Sequence, residues 1–173
     1  INIITKTVDK TSIQANVYTG SSFKNRDEEA KDGIYYQAGT QIGASWFNDK
    51  HQHQVYYNKE KSNGQRYNTA SQNDKIFYQG NLALDGNNEV EWLGSYMYNR
   101  FGANGFYAAP GDRESEEIVE TVFASLSSKH QLSDRFYLSP RITNRYNEDD
   151  YRYFKHNLSS ARSRHYTNAF SME

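Results

Sequence analysis

The sequence predicts an all-β protein, an antiparallel up-and-down meander that forms part of a transmembrane β-barrel. Three observations lead there. Long stretches alternate apolar and polar residues with period two, as strands with one polar face do. Mean hydropathy is strongly negative, yet 15% of the 173 residues are aromatic and 15 are tyrosine, which is not the composition of a disordered chain. Finally, the connections between alternating stretches run long, short, long, short along the chain. In an up-and-down sheet this places all short turns at one end and all long loops at the other, as in barrels that cross a membrane.

The elements justify themselves in order. Ile1–Lys6 is a short β-branched run. Ile13, Ala15, Val17 and Thr19 alternate with Gln14, Asn16, Tyr18 and Gly20. Lys24 to Asp32 is a charged loop. In the clearest strand Ile34, Tyr36, Ala38, Thr40, Ile42, Ala44 and Trp46 share one face, and Tyr35, Gln37, Gly39, Gln41, Gly43 and Ser45 the other. Its length exceeds the ~5–6 residues of an ordinary soluble strand and suits a tilted membrane strand. Asn48-Asp49-Lys50 is a tight turn, Gln52 to Glu60 the return strand, and Ser62 to Lys75 a polar loop with Asn63-Gly64 near its start.

Ile76, Tyr78, Gly80, Leu82 and Leu84 then alternate up to Asp85-Gly86-Asn87-Asn88, a hairpin signal. Val90 to Asn99 returns with Trp92, Tyr96 and Tyr98 on one face. The next loop opens with Phe101-Gly102-Ala103-Asn104-Gly105-Phe106-Tyr107-Ala108-Ala109-Pro110 and runs to about Glu116. Glycines and a proline exclude helix and regular pairing there, and its aromatics belong to a packed loop or to a ligand surface. Ile118 to Lys129 is a strand in which Val122, Ala124 and Leu126 go together while Phe123 falls on the polar face without an evident reason. After a turn at Gln131 to Asp134, a strand from Arg135 to Arg145 carries Pro140, which requires a local bulge. Asn147 to Arg164 reads as a loop, with Tyr151–Phe154 as a possible strand extension, and His165 to Glu173 begins one more strand.

Composition excludes several functions. A net charge of −1 gives no electrostatic case for nucleic acid. The absence of cysteine excludes disulfides and thiolate sites. No apolar run is long enough for a membrane helix, and no signal peptide is evident, which leaves the chain intracellular, mature or beginning within a longer protein. No nucleophile elbow, phosphate loop or metalloprotease motif occurs, so no enzyme, cofactor or metal centre is expected. His51-Gln52-His53 reads as a surface pair beside a turn rather than a metal site. Asp27-Glu28-Glu29 and Glu148-Asp149-Asp150 read as solvated loop charge rather than calcium ligands. Arg135, Arg141 and Arg145 are placed on one face of one strand, as a basic wall or as partners of neighbouring carboxylates.

Four segments carry a resemblance. Ile1-Asn2-Ile3-Ile4-Thr5-Lys6 resembles the end of the plug domain of TonB-dependent outer-membrane receptors. Phe101 to Tyr107, with Glu116-Glu117, is similar to the third extracellular loop of the Bacteroidetes-type cobalamin- or siderophore-receptor-like members. Leu132–Phe136 and Arg164–Thr167 are also similar to segments of those receptors. The resemblance implies residues 1–6 as the end of the plug and 7–173 as the N-terminal part of the barrel, about eight strands, and therefore a fragment of a receptor in the cell outer membrane. It implies import of a scarce nutrient complex (iron–siderophore, haem or a corrinoid). Its partners would be a TonB-type energising protein acting through the plug, the nutrient itself and outer-membrane lipid. Phe106 and Tyr107 are the expected ligand contacts. The alternative is a soluble, secreted β-sandwich that binds carbohydrate through exposed aromatics.

Overall fold

The computed structural model describes residues 8–26, 33–103, 114–157, 159 and 161–173. Among the described residues all regular structure is β: β1 (Ser12–Asn25), β2 (Ile34–Phe47), β3 (His51–Ser62), β4 (Ser71–Ala83), β5 (Glu89–Gly102), β6 (Glu116–Ser133), β7 (Phe136–Leu138), β8 (Arg141–Arg152) and β9 (Arg162–Met172). They form one antiparallel sheet in the order β1-β2-β3-β4-β5-β6-β8-β9, with β7 paired to β6. Each long strand follows its predecessor, so the meander is as expected. The sheet is open: β1 and β9 are its edges. Strands contact only their hydrogen-bonded neighbours, so the fold is a single layer rather than two packed sheets.

A single layer has little interior. Among the described residues only Ala103 and Tyr151 are buried hydrophobics. The accessible surface is 11959 Å², against roughly 8,700 Å² for a compact chain of this mass. What holds the sheet is its ladder of backbone hydrogen bonds and the cross-strand pairs on each face.

The short connections are built as their sequences require. Asn48 Oδ1 accepts from the backbone N–H groups of Lys50 and His51 at 3.0 and 2.8 Å. Asp85 Oδ1 accepts from Asn87 N at 2.8 Å, and Asn88 O closes the hairpin by accepting from Leu84 N at 2.9 Å. The long-loop end is stapled by side chains that imitate backbone. Asn63 Oδ1 accepts from Tyr36 N at 2.9 Å while its Nδ2 donates to Ile34 O at 3.0 Å, which prolongs the β2–β3 ladder past its last strand residue.

Several boundaries differ from the sequence reading, mostly because strands run further toward the long loops. β4 starts at Ser71, inside the expected Ser62–Lys75 loop. β6 extends from Glu116 to Ser133, which moves the turn to Asp134 and Arg135. Polar and charged residues on both faces hide these ends, because period two is invisible where neither face is apolar. β8 continues through Tyr151 and Arg152, so the expected Asn147–Arg164 loop shrinks to 153–161. The strand expected from Arg135 to Arg145 is broken instead of bulged. Ser139 and Pro140 separate β7 from β8, since Pro140 has no N–H to donate, while its carbonyl still accepts from Ser128 N at 3.0 Å. Arg135 therefore lies in a turn, and only Arg141 and Arg145 share a strand and a face.

Candidate functional site

The register places residues in rows that run across the whole sheet, and alternate rows point to opposite faces. One face carries an apolar band. Its lowest row includes Leu82 and Val90, and the next holds Trp46, His53, Trp92, Leu126, Ile142 and Met172. Above these come a row with Ile13, Ala44, Val55, Tyr78 and Phe170 and one with Ile42, Tyr57, Ile76, Tyr96 and Val122. The band is open to the surroundings: Ile13 is 84% exposed, Phe170 68% and Leu126 51%.

Aromatics mark both borders. At the lower one Trp46 stacks on His53 at 4.7 Å, and Trp92 lies 5.7 Å from the same imidazole. His53 Nδ1 is 3.0 Å from the Tyr78 hydroxyl. His51 and His53 do point the same way, with rings 5.8 Å apart, but no cluster fit for a metal occurs among the described residues. At the upper border Tyr57, Tyr96 and Tyr146 lie in one row and Tyr98 and Tyr166 in the next on that face.

The opposite face is mainly polar, with Leu93, Met97 and Val119 as apolar exceptions on β5 and β6. Ser12 and Ser45 hydroxyls meet at 2.8 Å, Gln54 Nε2 donates to Gln79 Oε1 at 2.8 Å, and Thr143 and Ser171 hydroxyls meet at 2.6 Å, all in one row. Tyr18 reaches from β1 across Gly39 of β2 and donates to Glu60 Oε2 of β3 at 2.7 Å. A Cβ on Gly39 would lie 2.3 Å from the Tyr18 ring, so this crossing needs glycine beneath it. Phe123 has companions here: Tyr56 and Phe77 occupy its row, an aromatic strip on a mainly polar wall. Sequence alone could not group them, because the three lie on different strands. Beside Tyr56 and reaching into the row above it, a groove of about 540 Å³ is lined by Gln14, Asn16, Gln41 and Asn58.

From the row of Tyr98 and Tyr166 upward the apolar face turns ionic. Lys59 pairs with Asp74 at 3.1 Å, Arg100 and Arg152 with Glu116 at 2.8 and 2.9 Å, and Arg152 and Arg162 with Asp150 at 2.7 and 2.6 Å. Arg164 pairs with Glu148. Glu148 and Asp150, expected as loop charge, are thus strand residues in ion pairs. Asp149 faces the other way, with its carboxyl against that of the buried Glu117; Glu117 Oε2 and Asp149 Oδ1 have no hydrogen-bond partner.

The connections at this end pack on one another. Asn68 Nδ2 donates to Ser115 O at 2.5 Å, Lys155 Nζ to Asn68 Oδ1 at 2.8 Å, and Lys155 N to Glu114 O at 3.1 Å. Ser115 is fully buried at this junction. The expected ligand contacts Phe106 and Tyr107, the expected plug end at residues 1–6 and the acidic run Asp27–Glu29 lie outside the described residues. Comparison with protein-family models, with curated proteins and with solved structures finds no match to this chain.

Proposed function

We propose that this chain is part of the barrel wall of an outer-membrane receptor of the TonB-dependent kind, one that imports a scarce nutrient complex such as an iron–siderophore, haem or a corrinoid. The observation that carries the reading is the one-sided apolar band with aromatic borders. Along β4 it runs from Leu82 to Asp74, whose row holds Tyr98. At ~3.4 Å per residue that is roughly 27 Å along the strand, or roughly 20 Å along the membrane normal at a tilt of about 40°, approaching the ~25 Å belt of outer-membrane barrels. In water such a band would be a large adhesive patch. In lipid it is the expected exterior, and the polar wall with its glutamine and serine ladder is the expected lumen.

Two further features support it. The connections sort by length, with 48–50, 84–88 and 134–135 at one end and 26–33, 63–70, 103–115 and 153–161 at the other. The open edges at β1 and β9 require further strands, because unpaired backbone groups cannot be left in hydrocarbon. Under this reading Phe106 and Tyr107, in the β5–β6 connection, are ligand contacts, and force reaches the receptor from a TonB-type protein through a plug.

The test is an immunoblot of fractionated source cells with an antibody against this chain. A band several times heavier than 20.1 kDa in the outer-membrane fraction is expected. A band at 20.1 kDa in the soluble or secreted fraction would overturn the reading.

A further inference from the structure

A cleft of about 470 Å³ opens on the outer, band-bearing face at the long-loop end. Lys61, Arg100, Lys155 and His156 line it, with Asn63 and Asn68 as amide groups. Among the described residues Glu116 is its one carboxylate, and Arg100 and Arg152 both already hold it. Lys61 has no carboxylate partner among the described residues, and Lys155 Nζ donates only to the neutral Asn68 Oδ1. Of the other carboxylates on this face, Asp74, Glu148 and Asp150 are each paired with a lysine or arginine of their own, and Glu120, in the Tyr98 row below the cleft, accepts from the Tyr96 hydroxyl. The cleft is therefore left with excess positive charge.

Its height is what gives it meaning. On β3, Tyr57, Lys59 and Lys61 follow one another up the same face; on β5, Tyr96, Tyr98 and Arg100 do the same. Lys61 and Arg100 stand in one row, two residues above Tyr98 and Lys59. That is roughly 5 Å along the membrane normal, within the ~5–8 Å headgroup layer that flanks the hydrocarbon. A phosphate here has acyl-chain surface beneath it and ammonium and guanidinium donors around it.

We propose that this cleft binds the phosphate headgroup of an anionic membrane lipid, whose chains lie along the Tyr57–Ile76–Tyr96 row. This rests on the reading of the band as lipid-facing. The site would fix the long-loop end at a set depth, because Lys155 joins the cleft to the 63–70 and 114–115 segments through Asn68 and Glu114.

The probe is phosphatidic acid titrated into phosphatidylcholine nanodiscs that hold the full chain, with complexes counted by native mass spectrometry. The chain should bind phosphatidic acid selectively. The Lys61→Gln/Lys155→Gln variant should lose about tenfold or more of that affinity, while Lys50→Gln/Lys75→Gln, with the same change in charge away from the cleft, should match the parent. Equal loss in both variants, or none in the first, overturns the site. Full competition by millimolar inorganic phosphate overturns the lipid as its source. A chain that does not enter the nanodiscs defeats the lipid-facing reading and the site with it, whereas a chain that enters and does not discriminate defeats the site alone. Both lysine pairs are checked for parental β-sheet circular dichroism.

Discussion

The Trp92 indole covers Gly80 on the neighbouring strand: a Cβ built on Gly80 would stand 2.4 Å from two atoms of the ring. The missing side chain is what lets the ring settle against the backbone and against His53. Gly80→Ala should force the indole off the sheet and cost about 1–3 kcal/mol. Gly94→Ala, two residues along β5 from Trp92, meets nothing within 4 Å and should be neutral or slightly stabilising. Urea unfolding in detergent, followed by tryptophan emission, separates the two. Equal effects would mean that the ring does not depend on the glycine.

The two faces should respond oppositely to charge. Val55→Lys, in the middle of the apolar band, should destabilise the lipid-inserted protein by about 2–4 kcal/mol. Ser95→Lys, on the polar wall between the Phe77 and Phe123 columns, should be tolerated. Reversible unfolding from vesicles measures both. A tolerated Val55→Lys would argue that the band does not meet lipid.

Ion pairs differ in worth with burial. Asp150 is 4% exposed and held by Arg152 and Arg162. Its replacement by alanine leaves two guanidinium groups facing one another and should cost about 3 kcal/mol. The Lys59–Asp74 pair is open to solvent on the lysine side, and Lys59→Ala should cost less than about 1 kcal/mol. Denaturant midpoints of the two variants check the ranking.

Glu117 and Asp149 place two carboxyl groups against each other on the polar wall, each with an oxygen that accepts nothing. Glu117→Gln replaces repulsion with an amide donor. Burial first, and then the Asp149 charge, hold the Glu117 carboxyl above the usual range, so the variant should melt at a higher temperature than the parent at pH 7, and the gain should vanish in acid, where Glu117 carries a proton.

Asp85 gives a pH dependence of the opposite sign. The Asn87 backbone N–H, then the Asn88 side chain, hold its carboxyl below the usual range. A depressed acid adds stability above its unfolded pKa and loses it as pH falls through the folded one. The parent should thus melt above Asp85→Ala at pH 7, and the difference should close below about pH 4. A constant difference from pH 7 to pH 3 would show that the charge has no part in the turn.

The β2 alternation from Ile34 to Trp46, the turns at Asn48–Lys50 and Asp85–Asn88 and the grouping of Val122, Ala124 and Leu126 were all legible in the sequence, because period two shows wherever one face is apolar and the other polar, and both turns carry Asn and Asp. So was the up-and-down order, since short turns join only neighbours. The end of β6 was not legible and that of β8 only in part, through the strand extension that Tyr151–Phe154 offered: there both faces are charged, and Glu116, Asp150 and Arg152 look like loop. The ion-pair zone, the cationic cleft and the Tyr56–Phe77–Phe123 strip draw on residues far apart in the chain. Only the register between strands decides which of them stand in one row, and a slip of a single residue would turn each to the other face.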